Sequence, residues 1–525
     1  MASRLTRVHP LLVGVSVTLL LLVGASRPNA AQLDLFPRGW APAALVPVTL
    51  GPGAVTAVLW TAYLVGAAAV LAGLRTHAPA LRTWAVPVLL GGLALVTAPF
   101  GSADHVNYLA YGRILVGGGD PWLEAPVEWA GGADPVTSRV EEPWTTEPSV
   151  YGPFGTLLHG LAAFVGGDSL RQGVWVWQLL VVLAWLVVRA ALRRVLAADL
   201  HGRVDVLWTL NPLVLGVGVL GAHIDTVAAA LVVLAVAAAA LRPDAVGAAL
   251  AGASTALAAS TKLTYAVVGL AVVTGWWVVG HRSALLVRLV GSLLASFAVV
   301  AGALHVWAGP HVFDQLERSR RAVSLATPWR PVLEWGRDTV GHDTTRSGIV
   351  LAAAVVAVVL AACLLMVSRP ALPAPTGPDP ALTSGPAHLA AIALWVTACL
   401  ALAYSLAAPY SLPWYDLLVW CALPAVLPGL VDLVALARLT ASAIAYVPGR
   451  VLGMTPAVEE LTLGVRRGVV PWVGLALWVV VIAAGVRTWS RRPRVPRRAG
   501  RTSPPTRRAA RRGWPRPRGW PRPSR

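Results

Sequence analysis

Charged residues are scarce in this sequence. Only 13% of its 525 residues are Asp, Glu, Lys or Arg, whereas soluble domains contain about 25%. Hydrophobic residues make up 56% of the chain, and they fall in long runs. Because a bilayer core about 30 Å thick is crossed by about 20 apolar residues in a helix, we predict an all-α polytopic membrane protein.

Cysteine is also scarce, and motifs for common cofactors are missing or out of context. The three cysteines lie in apolar runs without CxxC or Cys/His spacing, which indicates neither a disulfide framework nor a zinc site. The chain has no Walker A or HExxH motif. Its GxGxxG match, Gly216–Gly221, falls at the end of the apolar run Val206–Leu220 rather than between a strand and a helix, so nothing in the chain indicates ATP, dinucleotide or zinc chemistry. No cofactor is predicted, and the need for a divalent cation is left open.

About 14 apolar runs are long enough to be transmembrane helices. In chain order they are Pro10–Ser26, Ala54–Leu74, Trp84–Phe100, Gln172–Ala190, Val206–Leu220, Thr226–Leu241, Ala245–Ser260, Leu263–Gly280, Ala284–Trp307, Gly348–Val367, Ala387–Ala408, Leu412–Leu427, Gly429–Val447 and Gly468–Val486. The run Phe154–Gly166 is shorter and follows Gly152-Pro153, so we interpret it as an interfacial or re-entrant helix.

The arginines predict the orientation. The tail from Arg487 to Arg525 holds 15 arginines and no acid, and cytoplasmic loops and ends carry the excess of arginine in membrane proteins. We therefore predict a plasma-membrane protein with both termini in the cytoplasm and Asp104–Tyr151 outside. We expect the Pro-rich tail to be disordered and to set topology or lie on anionic lipid rather than bind nucleic acid.

This topology divides the chain into six segments. They are N-terminal transmembrane helices at 1–100, an extracytoplasmic catalytic loop with the interfacial helix at 101–171, a transmembrane core at 172–307, an extracytoplasmic loop at 308–347, C-terminal transmembrane helices at 348–486 and a disordered cytoplasmic tail at 487–525. The first loop is acidic, because Gly101–Pro153 holds eight of the 24 acidic residues and two arginines.

Asp104 is the first acid after the third apolar run. If it begins a helix, Tyr108 and Tyr111 share its face at positions i+4 and i+7. A carboxylate at the membrane boundary can act as a general base, although an acid there can also merely stabilise a helix N-terminus. The spacing alone leaves both roles of Asp104 open.

Other polar residues cluster at the ends of predicted spans on the same outer side. Asn211, His223 and Asp225 lie in apolar surroundings, where ionisable groups usually face a cavity, although they also suit an ordinary polar turn. Lys262 is the one lysine of the chain. It can hold a lipid phosphate as a point charge or anchor the helix end at the interface.

Arginines and aromatic residues also lie at span ends on the predicted outer side. The loop after Trp307 contains an arginine cluster on the side where few are expected, and guanidinium groups pair with phosphate in a bidentate way. Aromatic side chains at the outer interface are typical of a membrane belt, and some stack on sugars. These residues are Arg318, Arg320, Arg321, Arg330, Tyr410, Trp414 and Tyr415.

The chain resembles the actinobacterial polyprenol-phosphomannose-dependent α-(1→6)-mannosyltransferases, membrane glycosyltransferases of the GT-C fold. The resemblance covers roughly residues 80 to 450, and its motifs occur in the family's order. They are Asp104 with Tyr108 and Gly112-Arg113, Asp120-Pro121-Trp122, Tyr151-Gly152-Pro153, Asn211-Pro212, Gly221-Ala222-His223-Ile224-Asp225, Thr261-Lys262-Leu263, Thr327-Pro328, and Pro413-Trp414-Tyr415 followed by Trp420. Ile224 departs from the family pattern, which has Asn at that position.

The resemblance implies an inverting transfer of mannose from a polyprenyl-phosphate-linked donor to a lipid-anchored α-1,6-mannan of the lipomannan type. Asp104 matches the family's first-loop acid, which is the expected base. The substrate-binding residues that we predict are Tyr108, Arg113, Tyr151, His223, Asp225, Lys262, Arg321, Arg330, Trp414 and Tyr415.

Three alternatives remain at this point. The first is a flippase or transporter of polyprenyl-linked glycans, although transporters usually show internal repeats and polar sites at the membrane midplane, whereas here the polar residues gather at one face. The second is a GT-C transferase that uses another sugar or acceptor. The third is a non-catalytic scaffold, which leaves the outer Arg and His/Asp clusters unexplained.

Overall fold

A computed structural model describes residues 2–36, 39–280, 284–314, 322–373, 385–450 and 453–491. Within these ranges the chain is built from helices and forms no β-strand. The tail beyond Arg491, for which disorder was predicted, lies outside the described residues, as does Arg321. The all-α fold class predicted from composition is confirmed.

The helices follow the apolar runs. In the first half they are α1 (Ala2–Ala25), α2 (Pro52–Thr76), α3 (Ala85–Leu95), α4 (Asp104–Val116), α5 (Pro153–Gly166), α6 (Leu170–Val195), α7 (His201–Val204), α8 (Pro212–Val214), α9 (Asp225–Leu241), α10 (Ala245–Ala259), α11 (Val267–Val278) and α12 (Ala284–Ala308). In the second half they are α13 (Trp329–Thr339), α14 (His342–Val367), α15 (Pro386–Ala407), α16 (Leu417–Ala422), α17 (Leu430–Tyr446), α18 (Pro456–Gly464) and α19 (Val470–Ser490).

Eight helical stretches of the described residues are long and apolar enough to cross a membrane. They are Val8–Ala25, Pro52–Thr76, Leu170–Val195, Ala198–Leu220, Ala284–Ala308, His342–Val367, Pro386–Ala407 and Pro456–Ser490. The other six predicted spans coincide with shorter helical segments, so the count of about 14 stays a prediction. The predicted interfacial helix is α5, which has 14 residues and packs against α4 and α6.

Close helix packing rests on small residues, as is usual in membrane bundles. At Gly252 of α10, a Cβ atom would lie 2.2 Å from the carbonyl oxygen of Leu293 on α12. At Gly112 of α4, a Cβ atom would lie 2.2 Å from the carbonyl oxygen of His159 on α5. Neither site has room for a side chain, so the two glycines fix how closely these helices approach.

Buried ion pairs lie near the C-terminal end of α6 and the N-terminal end of α17. The Arg189 Nε donates to Asp205 at 2.9 Å, and Arg193 donates to the other oxygen of the same carboxylate at 3.0 Å. Arg203 pairs with Asp432 at 2.5 Å. Arg189 lies 19 residues along α6 from Leu170, which is about 28 Å of helix. These arginines therefore have a structural explanation and are separate from the cluster around Asp104.

Candidate active site

Asp104 is the first residue of α4. An acid in the first helical turn is stabilised by the helix dipole, and the Asp104 amide donates to the Ser102 hydroxyl at 3.3 Å. The residue is 8% exposed. The helix places this carboxylate near the start of residues 101–171, the predicted extracytoplasmic loop, which is called the external segment below.

His223 joins Asp104 to two hydroxyl groups. Its Nδ1 atom lies 3.5 Å from the Asp104 carboxylate and 3.5 Å from the Tyr108 hydroxyl. Its Nε2 atom lies 3.3 Å from the Ser102 hydroxyl. The ring stacks on Trp414, with centroids 3.6 Å apart and planes 14° from parallel. Four predicted site residues, Asp104, Tyr108, His223 and Trp414, are thus brought together.

A second cluster surrounds Asp225, two residues after His223 in the chain. Lys262 donates to both oxygens of Asp225, at 2.9 and 2.7 Å. The Tyr265 hydroxyl donates to the same carboxylate at 3.0 Å, and the Lys262 ammonium sits 4.2 Å from the Tyr415 ring centroid. The Asp225 side chain is only 1% exposed. The charge of Lys262 is therefore compensated inside the protein.

The turn that carries both clusters has an irregular backbone. A π-helical stretch, Leu215–Leu220, ends just before it, and such stretches are frequent at functional sites. Ala222 adopts a positive φ of 53°, an unfavourable conformation for a residue with a Cβ atom. The Trp177 indole of α6 donates to the Ala222 carbonyl at 2.7 Å. This support from α6 lets the turn aim His223 at Asp104.

The predicted return turn Tyr151-Gly152-Pro153 connects the external segment to the Lys262 cluster. The Gly152 amide donates to the Thr261 carbonyl at 3.2 Å, and a Cβ atom at Gly152 would lie 2.3 Å from the Ser260 carbonyl oxygen. The Tyr151 ring packs edge-on against Tyr108, 5.0 Å between centroids. Tyr151 thus lines the Asp104 cluster from the loop side.

Comparison with known proteins identifies the family of the chain. The family whose model matches is described as "Alpha-(1->6)-mannopyranosyltransferase, N-terminal domain", and the match covers residues 11–279, just over half of the chain. The chain belongs to this family. The matched part contains Asp104, His223, Asp225 and Lys262, and membership confirms the resemblance inferred from the motifs.

A relative of known name supports the same family. The chain is similar to alpha-(1->6)-mannopyranosyltransferase A of Mycobacterium tuberculosis (strain ATCC 25618 / H37Rv), with 31% identity over 156 residues, which is 28% of this chain and 28% of the relative. The alignment thus spans little more than a quarter of that protein's length. No solved structure matches the chain.

Two predicted site residues pair with acids that belong to neither cluster. Arg113, at the far end of α4, pairs with Asp134 at 2.8 Å and with Asp168 at 2.5 Å. Arg330 pairs with Glu334 at 2.6 Å, one turn along α13. The contacts of Arg113 explain it as an anchor of the external segment. Substrate binding by Arg113, Arg330 and Arg321 stays a prediction.

Sequence reasoning missed two buried histidines beside the site. His105 follows Asp104, and both of its ring nitrogens are buried without a hydrogen-bond partner among the described residues. Burial, together with the neighbouring His223, lowers the pKa of His105 to about 3, so the ring is neutral at pH 7. His159 of α5 stacks on Tyr108, with centroids 4.7 Å apart. Its apolar helical context gave no functional signal, and only packing against Tyr108 places it here.

The two carboxylates at the centre of the site differ in their partners. Asp225 is held by Lys262 and Tyr265, whereas no lysine or arginine of the described ranges forms an ion pair with Asp104. The Asp104 side chain is 12% exposed, against 1% for Asp225. Asp104 is therefore the more exposed of the two carboxylates, and the one without a lysine or arginine partner among the described residues.

Proposed function

We propose that the protein is an inverting mannosyltransferase of the outer face of the plasma membrane. It moves mannose from polyprenyl-phosphomannose to the hydroxyl of a lipid-anchored α-1,6-mannan of the lipomannan type. Family membership supports mannosyl transfer, and the residue resemblance supports the donor and acceptor. The observation that carries the mechanism is the Asp104 carboxylate, which is partly exposed, free of a lysine or arginine partner within the described ranges, and next to His223.

The reaction needs one base and one leaving group. The oxygen of the acceptor hydroxyl attacks C1 of the mannose from the face opposite the phosphate, and the C1–O bond to the phosphate breaks. The electron pair of that bond stays on the polyprenyl phosphate, and the acceptor proton passes to the Asp104 carboxylate. General bases of this kind contribute about 10²–10⁴-fold to rate.

His223 and the aromatic rings have positioning roles in this proposal. His223 lies 3.5 Å from Asp104 and is clamped by the Trp414 ring, so it keeps the carboxylate in one orientation. The Tyr108 and Tyr151 rings pack edge-on against each other beside it, and the Tyr108 hydroxyl lies 3.5 Å from the His223 Nδ1 atom. Asp225 and Lys262 pair with each other and fix the neighbouring turn.

Purified protein in detergent tests this function directly. It is given synthetic polyprenyl-phosphomannose and a short α-1,6-mannan, and the products are a longer mannan with a new α-linkage and free polyprenyl phosphate in equal amounts. GDP-mannose serves as the control donor, and we expect no product from it. A flippase needs two membrane sides and makes no new bond in a micelle, so absence of elongation with a folded, monodisperse protein contradicts the proposal.

A further inference from the structure

An apolar groove runs along the surface of the bundle between α2, α17 and the start of α19. Its cavity volume is about 460 Å³. The wall is made of Ala, Leu, Ile and Val side chains with one hydroxyl, Thr440, and that hydroxyl donates to the Leu436 carbonyl at 2.7 Å. The groove therefore offers no free polar group along its length and suits a hydrocarbon chain.

The groove extends from one end of α17 to the other. Leu433 and Leu71 line one end, and Ile444 and Val465 line the other. From Leu433 to Ile444 the helix rises about 16 Å. The Trp60 indole of α2 donates to the Ile444 carbonyl at 3.0 Å, which ties the two walls together at the Ile444 end.

Arg466 stands at the Ile444 end of the groove. Its Nε atom donates to the Ala445 carbonyl at 2.6 Å, and its guanidinium carbon lies 4.6 Å from the Tyr446 ring centroid. Unlike Arg189, Arg203 and Arg450, each of which pairs with a carboxylate, Arg466 forms no ion pair within the ranges that the structure describes. An uncompensated guanidinium at the mouth of an apolar groove is complementary to a phosphate with a hydrocarbon tail.

The mouth of the groove also adjoins the reaction centre. The Tyr446 ring under Arg466 packs edge-on against Trp414, with centroids 5.0 Å apart. Trp414 in turn stacks on His223, which contacts Asp104. A phosphate held by Arg466 would carry its sugar toward the Asp104 carboxylate, with the tail directed away along α17.

We propose that this groove binds the polyisoprenyl chain of the donor and that Arg466 binds the donor phosphate, an assignment that rests on the proposed function. This assignment adds Arg466 to the residues that the sequence predicts as phosphate contacts, Lys262, Arg321 and Arg330. A bulk phospholipid is the competing occupant, and its phosphodiester and paired acyl chains distinguish it in the test.

Binding of phosphates with different tails tests the assignment apart from catalysis. Purified protein is titrated with decaprenyl phosphate, geranyl phosphate and dioleoyl phosphatidic acid. Arg466→Gln removes the charge and should weaken decaprenyl and geranyl phosphate about tenfold each. Ala437→Trp fills the groove and should weaken decaprenyl phosphate about tenfold while leaving geranyl phosphate unchanged. Ala441→Leu is a milder second filling variant if Ala437→Trp does not fold.

Matched controls are available on exposed surfaces. Arg487→Gln removes a charge from the other end of α19, and Val299→Trp adds an indole to the exposed face of α12, where Val299 is 71% exposed. Both should bind all three lipids as the wild type does. Wild-type affinity for decaprenyl phosphate in Arg466→Gln and in the filling variants would overturn the assignment. If phosphatidic acid instead binds the wild type as tightly as decaprenyl phosphate does, and the filling variants weaken both lipids equally, the groove is a general phospholipid site. This result would also overturn the assignment.

The two proposals fail in different ways. If the wild type elongates mannan and the groove variants do so with an unchanged KM for the donor, only the groove assignment is wrong. If the wild type binds decaprenyl phosphate through Arg466 but transfers no mannose from the polyprenyl donor, the proposed reaction is wrong and the lipid site stands.

Discussion

Replacing Asp104 with asparagine changes the charge of the reaction centre and almost nothing else. Asparagine has nearly the same volume, and its carbonyl oxygen can still accept a hydrogen bond from His223, so the packing of α4 is kept. The change removes the base that takes the acceptor proton. A loss of about 10²–10⁴-fold in kcat is expected, or about 2.7–5.4 kcal/mol of barrier at 1.36 kcal/mol per factor of ten.

The structure also predicts which kinetic constant changes. Asp104 contacts neither the groove nor Arg466 among its described hydrogen bonds and ion pairs, so donor affinity and the KM for the donor should stay within about threefold. Initial rates of mannan elongation are measured in detergent across donor concentrations. Thermal unfolding of the same sample shows whether the variant is folded.

Asp168→Asn is the matched control. Asp168 belongs to the same external segment, its side chain is 72% exposed, and its partner is Arg113. An exposed ion pair contributes about 0–1 kcal/mol, so this variant should keep wild-type kcat. Folded Asp104→Asn protein that retains more than about a tenth of wild-type kcat would remove Asp104 from the role of base.

Two further changes probe the surroundings of the site. Lys262→Met leaves the buried Asp225 carboxylate unpaired and should lower the free energy of unfolding by about 3–5 kcal/mol. The double variant Lys262→Met/Asp225→Leu should recover most of it in thermal unfolding, and no recovery would contradict the pairing. Burial works against ionisation of Asp134, but the Thr137 amide and Arg113 outweigh it and hold the pKa of Asp134 below 3.8. The stability that the ionised form contributes is therefore present above the ordinary pKa of an aspartate and is lost as the pH falls through the lowered pKa of Asp134. Limited proteolysis should show the external segment opening in acid, whereas Asp134→Asn should be equally cleavable at pH 7 and pH 3.

The family and the helical class were accessible from the sequence because both rest on local or ordered features. A run of apolar residues forms a helix whatever its neighbours are, since all its backbone hydrogen bonds are internal. Asp104 became a candidate from local sequence too, because it is the first acid after such a run. The motif order around Asp104, His223 and Lys262 identified the family without any knowledge of contacts.

Pairing between distant side chains was not accessible. Lys262 is a candidate for phosphate because it joins two predicted spans on the outer side, and the sequence does not reveal that it pairs with Asp225, 37 residues away. Arg113 is a candidate substrate contact, and its pairing with Asp134 and Asp168 was equally hidden. Which carboxylate meets which cation depends on the packed path of the chain, and no short-range pattern encodes it.

The sequence by itself thus determined an all-α membrane protein of a mannosyltransferase family, and it predicts Asp104 as the base. The tertiary structure alone decided that His223 and Trp414 converge on that acid and that Asp225 holds Lys262. It alone singled out Arg466, which in the sequence resembles any arginine near the end of a membrane helix. The physical reason is that helices form from neighbouring residues, whereas a site forms where close packing of small residues, such as Gly112 against α5, brings remote side chains within bonding distance.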